Sequence, residues 1–120
     1  MNKTVWKIKI KKQCETVGTY RESFMPVIDT LAATLAQRDS TYDEFLESGG
    51  KSCIEYTNKG GNTNMTKNPL LVMWDDLNKS ALAYWRDLGL TPAGLKKIDE
   101  TALKKQKKTG LSEILKELGG

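Results

Sequence analysis

The chain contains no histidine at all, which removes the commonest general base and a favoured metal ligand. Cysteine is nearly absent too: Cys14 and Cys53 can neither staple a secreted mini-protein nor build a four-ligand zinc site. No apolar run approaches the roughly 20 residues of a membrane helix, and the first ten residues lack the apolar block of a signal peptide. Hydrophobic residues make up 38% of the 120, below the usual 45–50% or so. One small domain of this make-up buries a modest core. The reading is a soluble intracellular protein, not an enzyme, that gains stability by oligomerising.

Charge is what the sequence does have. The net of +4 hides an asymmetry. Residues 1–21 carry Lys3, Lys7, Lys9, Lys11, Lys12 and Arg21 against Glu15 alone, residues 22–58 are acidic, and Lys104, Lys105, Lys107 and Lys108 crowd near the other end. Two lysine clusters in so short a chain are the footprint of a polyanion partner. The alternative is that they only keep a helix surface solvated. These ten residues are the candidate nucleic-acid contacts.

Residues 5–12 (VWKIKIKK) alternate like a strand, yet Trp6 and Ile10 also share a helical face, and both assignments stay open. Thr19 and Glu22 form a capping box that predicts a helix from about Tyr20. An apolar stripe of Phe24, Val27, Ile28, Leu31 and Leu35 carries it to about Gln37, with Pro26 in or just after its first turn, tolerated there or producing a bend. Ser40 is then expected to cap a short acidic helix that stops at Gly49-Gly50. Residues 49–68 are irregular in composition. A turn at Lys59–Asn62 could close a hairpin between Cys53–Thr57 and Thr63–Met65, or the segment is a loop ordered on assembly.

Residues 68–89 give the strongest helical pattern. Asn68 and Pro69 supply a cap and a first residue, Gly89 a left-handed stop, and Thr91-Pro92 starts another helix by the same device. Leu70, Trp74, Leu77, Ala81 and Trp85 recur along a helix more apolar than one core-facing stripe requires. Either the helix is central in a bundle or its second face packs against a neighbouring copy, and on the second reading these five are the candidate oligomer interface. The expected fold is mainly α: a helical subunit with a long central helix and a short irregular or hairpin segment, assembling into a ring-like homo-oligomer. Its parts are a basic N-terminal segment (1–18), a helical core (19–98) and a basic tail (99–120).

Three motifs have simpler explanations than chemistry. Gly50-Lys51-Ser52 ends like a phosphate-binding loop, but Phe45 stands where that motif needs glycine. Asp75 and Asp76 point about 100° apart on a helix and read as acids near its N-terminus. Cys14 and Cys53 read as buried small residues. No catalytic, cofactor or metal set emerges.

TNKGGNTNMTKNPLL followed by LAYWRDLGLTPAGLKKI resembles the P27 family of phage terminase small subunits. The pattern is carried by Asn68-Pro69, by Leu88-Gly89-Leu90-Thr91-Pro92 and by Ala93 and Lys96. GTYRESFMPVIDTLAATL is similar to that family's first long helix, and the likeness covers about residues 15–98. Pro26, and Gly94 where a bulkier residue is common, depart from it. The resemblance implies a ring that binds packaging-initiation sites on double-stranded viral DNA and engages a large subunit. That large subunit is the ATPase and nuclease, and the small subunit has no active site, cofactor or membrane contact. It implies the cytoplasm of an infected or lysogenic host and absence from the mature virion. The amphipathic LSEILKEL then offers Leu111, Ile114, Leu115 and Leu118 to the large subunit, or packs on its own ring. The competing readings are a small helical DNA-binding regulator of prophage origin, a phosphotransfer enzyme and a purely structural head-assembly protein.

Overall fold

A computed structural model describes residues 1–101. The chain runs α1 (Lys3–Val17), a 3-10 turn (Glu22–Phe24), α2 (Met25–Glu47), β1 (Cys53–Thr57), β2 (Thr63–Lys67) and α3 (Pro69–Asp87). Helical residues 92–101 form the described part of α4. The fold is mainly helical, as expected.

The ambiguous segment 5–12 is helix. Asn2 caps it by accepting from the Val5 amide at 2.9 Å. Gly18, at φ 79°, closes it, and the Thr19 amide bonds back to the Cys14 carbonyl at 2.9 Å. A helix pairs its own backbone groups, whereas a lone strand here would have no neighbour to satisfy them. Trp6, Ile10 and Cys14, four apart, make the inward row, with Ile10 and Cys14 fully buried. Ile8, its partner in the alternating pattern, is 65% exposed.

Two expectations for the next segment fail. Thr19 caps nothing: it is buried, its hydroxyl has no hydrogen-bond partner, and the 3-10 turn intervenes before α2 begins at Met25. Pro26 falls in the first turn of α2, where the missing amide is harmless. The break expected between Gln37 and Ser40 is also absent, because α2 runs unbroken to Glu47. The Thr41 hydroxyl donates to the Gln37 carbonyl at 2.8 Å within the helix instead of ending it. Ile28, Leu31, Ala32, Leu35, Thr41 and Phe45 form its buried face. Gly49 and Gly50, both at positive φ, stop the helix where the sequence placed the stop.

The hairpin forms. Its antiparallel register pairs Cys53 with Lys67 and Thr57 with Thr63, so β2 extends two residues past Met65. At its tip the Asn58 side chain accepts from the Gly60 and Asn62 amides at 3.0 Å. At its base buried Asn68 does three jobs. Its amide donates to the Ser52 carbonyl at 2.8 Å, its side-chain nitrogen donates to the Lys51 carbonyl at 3.0 Å, and its side-chain oxygen caps Leu70.

The core joins Ile10 and Cys14 of α1, Ile28, Leu31, Ala32 and Leu35 of α2, and Ala81 with Leu88 at the end of α3. Gly89 (φ 73°) turns the chain, and the Leu90 amide bonds the Trp85 carbonyl at 2.8 Å. Thr91 caps α4 by accepting from the Gly94 amide at 3.0 Å. Gly94 lies so close to α3 that a Cβ there would strike the Arg86 carbonyl, which is why this position departs from the bulkier residue of the resembled pattern.

The minor motifs resolve too. Gly50-Lys51-Ser52 follows a helix and precedes a strand, the reverse of a phosphate-binding loop. The first turn of α3 holds no acid, so Asp75 and Asp76 do not complement its terminus, and Asp75 pairs with Lys79 at 3.1 Å. Cys14 is buried but Cys53, at the start of an exposed strand, is not.

Candidate nucleic-acid interface

The inward row of α1 divides its lysines into two edges. Lys3, Lys7 and Lys11, four apart, lie along the edge nearest α2. Lys3 and Lys7 both reach Asp29 of α2, at 3.1 and 3.3 Å. The hydrogen bond from Lys3, with that from Lys7, holds the Asp29 carboxyl below its usual range. Lys11 lies 5.3 Å from the centre of the Tyr20 ring. Neighbouring Arg21 is exposed and donates to the Tyr20 carbonyl at 2.7 Å.

Lys9 and Lys12 occupy the opposite edge of α1, beside Trp85 and Leu90. Lys9 lies 5.3 Å from the Trp6 ring. Among the described residues, Lys9, Lys11 and Lys12 are exposed and make no ion pair. The site therefore has three uncompensated lysines and two that a carboxylate already neutralises in part.

The helix carrying them is held rigidly. The Arg38 guanidinium of α2 lies 5.5 Å from the Trp6 ring of α1 and 6.0 Å from the Trp85 ring of α3. It also pairs with Asp39 at 3.0 Å and donates to Asn78 at 3.4 Å. Three helices thus meet at one cation. Asp39 in turn accepts from Trp6. Burial pushes its carboxyl up, but the Trp6 and Arg38 hydrogen bonds outweigh that and leave it below the usual value.

A family model described as phage terminase, small subunit, matches residues 2–105. The chain belongs to the phage terminase small-subunit family. No curated protein and no solved structure matches it. Family membership favours a terminase small subunit over the prophage-regulator reading.

In this terminase small subunit Trp74, Ala81 and Trp85 of the α3 stripe turn toward α2 of the same chain. Ala81 is fully buried in the core and Trp74 packs on Tyr42 with ring centres 5.3 Å apart. Trp85 borders Arg38, and Leu70 and Leu77 are half-buried. Val72, Met73 and Leu82 are the large α3 side chains left exposed, at 45%, 48% and 48%. Lys104, Lys105, Lys107, Lys108, Leu111, Ile114, Leu115 and Leu118 lie outside the described residues. Arg86, Lys96 and Lys97, absent from the sequence candidates, add exposed cations at the α3–α4 corner. The signal for them was present, since Lys96 and Lys97 ride the helix that Thr91-Pro92 starts. No helix among the described residues is long and apolar enough to cross a membrane.

Proposed function

We propose that this terminase small subunit binds double-stranded viral DNA at packaging initiation and regulates the large ATPase and nuclease subunit, without an active site of its own. The observation that carries the reading is the set Lys9, Lys11 and Lys12: exposed, without a carboxylate partner among the described residues, on a helix locked to two others. Lysines not held by a carboxylate are available to displace counterions from phosphate. Lys3, Lys7 and Arg21 contribute at the α2 edge, and Lys104, Lys105, Lys107 and Lys108 add charge from the tail.

The subunit works as a homo-oligomer, a ring in which copies repeat the basic helix, so that weak phosphate contacts multiply into avidity. Copies meet on the faces α3 leaves open, with Val72, Met73 and Leu82 joining Leu70 and Leu77. Its place is the cytoplasm of the infected or lysogenic bacterial host, and it is not part of the mature virion.

Titration of the purified chain with duplex DNA over a range of salt, alongside mass photometry, tests this. The expected result is a discrete high-order mass with an affinity that falls linearly in log salt. Absence of binding at low salt returns the chain to a structural head-assembly role.

A further inference from the structure

Between the second half of α1 and the α3–α4 corner runs an open groove of about 890 Å³. Trp85, Leu90, Pro92, Leu95 and Val17 give it an apolar lining, and Lys9 and Lys12 of α1 edge one wall. The corner is fixed by the Leu90–Trp85 backbone bond and by the close approach of Gly94 to Arg86. An apolar floor with a cationic rim is complementary to a short amphipathic segment that carries acids.

The sequence holds one such segment. In LSEILKEL, residues 111–118, the spacing puts Leu111, Ile114, Leu115 and Leu118 on one helical face, with Glu113 and Glu117 one turn apart. As a helix it would be about 12 Å long. Residues 102–110 can span about 30 Å when extended, whereas the described part of α4 rises only about 15 Å. The chain is therefore long enough to turn back along α4, and tethering raises the effective concentration of the segment at the groove.

We propose that residues 111–118 seat in this groove of their own chain. Their apolar face lies on Trp85, Leu90 and Leu95, and the two glutamates lie toward Lys9 and Lys12. While the segment is seated it takes up Lys9 and Lys12, so these two lysines serve DNA only when it is displaced.

Disulfide trapping in the full-length chain tests it. In a Cys53→Ser background, Leu115→Cys is combined with Leu95→Cys in the groove, or with the exposed lining position Thr16→Cys should Leu95→Cys impair folding. Tyr56→Cys is the control, since the hairpin adjoins the opposite end of α3. The expected result is an intramolecular disulfide at the groove positions, on the order of tenfold faster than at the control. Lys9→Glu with Lys12→Glu slows closure about twofold to fivefold, and Glu113→Lys with Glu117→Lys restores it. Equal rates at groove and control, covalent dimers in place of intramolecular closure, or a rate indifferent to all four charges overturns the proposal.

Discussion

The Trp6 indole donates a 2.7 Å hydrogen bond to the Asp39 carboxylate, 33 residues away. That bond ties the basic helix α1 to the middle of α2, and Arg38, stacked near both Trp6 and Trp85, extends the tie to α3. The position of the lysines thus depends on a neutral donor, an anion and a cation that satisfy one another. Trp6→Phe keeps a smaller aromatic ring and removes the donor, so it should cost at least about 1.5–3 kcal/mol, the worth of a hydrogen bond to a charged group. Urea denaturation at neutral pH measures it, and a cost below about 0.5 kcal/mol would mean the carboxylate finds another donor.

Asp39 also sets an acid limit. Its folded carboxyl titrates below the unfolded value, so the unfolded chain takes up the proton first as pH falls. The stability it contributes is present above the unfolded value of about 3.9 and disappears as pH drops through the folded one. Asp39→Asn should therefore be less stable than the parent at pH 7, and the gap should close in acid. Melting curves from pH 7 down to about 3 check this. A gap that persists unchanged would assign the loss to geometry and not to charge.

The corner after α3 is held by two glycines for different reasons. Gly89 needs its left-handed φ of 73°, and a Cβ there would also press on Thr19 and Ile98. Gly94 has no such φ, but its Cβ would meet the Arg86 carbonyl, which is backbone and cannot rotate aside. Gly94→Ala should cost about 1–3 kcal/mol as overpacking, and Gly89→Ala about 1 kcal/mol or more from its backbone alone. Thermal unfolding ranks them. If Gly94→Ala melts with the parent, α4 can shift off α3 without loss.

Much of this was legible from local chemistry. Asn68-Pro69 and Gly89-Leu90 bound α3 because caps act through a few adjacent atoms, and Lys59 to Asn62 could be read as a turn for the same reason. What failed depended on distant partners. Thr19 and Glu22 satisfy the capping pattern, yet Thr19 lies against Gly89 across the fold and is unavailable as a cap. Ser40 looks like a helix start, but the buried face from Ile28 to Phe45 continues unbroken through it and packs against α3. Arg38 reads as a surface charge in an acidic stretch, and only packing brings Trp6 and Trp85 to it. The exposed α3 side chains were hidden in the same way, because periodicity shows excess apolarity without showing which face the subunit keeps.

That distinction separates two kinds of α3 variant. Trp74 and Trp85 pack on their own α2, so Trp74→Ala or Trp85→Ala should lower subunit stability, on the order of 3 kcal/mol for half-buried rings. Val72→Asp and Leu82→Asp change exposed positions and should leave folding within about 0.5 kcal/mol while reducing the assembled mass. Denaturation and mass photometry on the same samples resolve the two effects. Tryptophan variants that stay folded but dissociate would move the interface onto the stripe that includes Trp74, Ala81 and Trp85.

The two edges of α1 make the DNA reading specific to particular lysines. Lys9, Lys11 and Lys12 are exposed without an ion-pair partner among the described residues, whereas Lys3 and Lys7 share Asp29. Removing one phosphate-binding cation should lower the magnitude of the log–log salt slope by about 0.9. Changing Lys9, Lys11 and Lys12 to glutamine should therefore flatten the slope by up to about 3 per bound protomer and weaken binding alike across sequences. The Lys3→Gln, Lys7→Gln pair should flatten it less, because those ammonium groups must leave a carboxylate to reach a phosphate. Fluorescence anisotropy with labelled duplexes of unrelated sequence measures both slopes. An unchanged slope in the triple variant would remove α1 from the DNA contact and shift it to Arg86, Lys96 and Lys97. A larger effect from Lys3 and Lys7 would mean that the Asp29 pairs open when DNA binds.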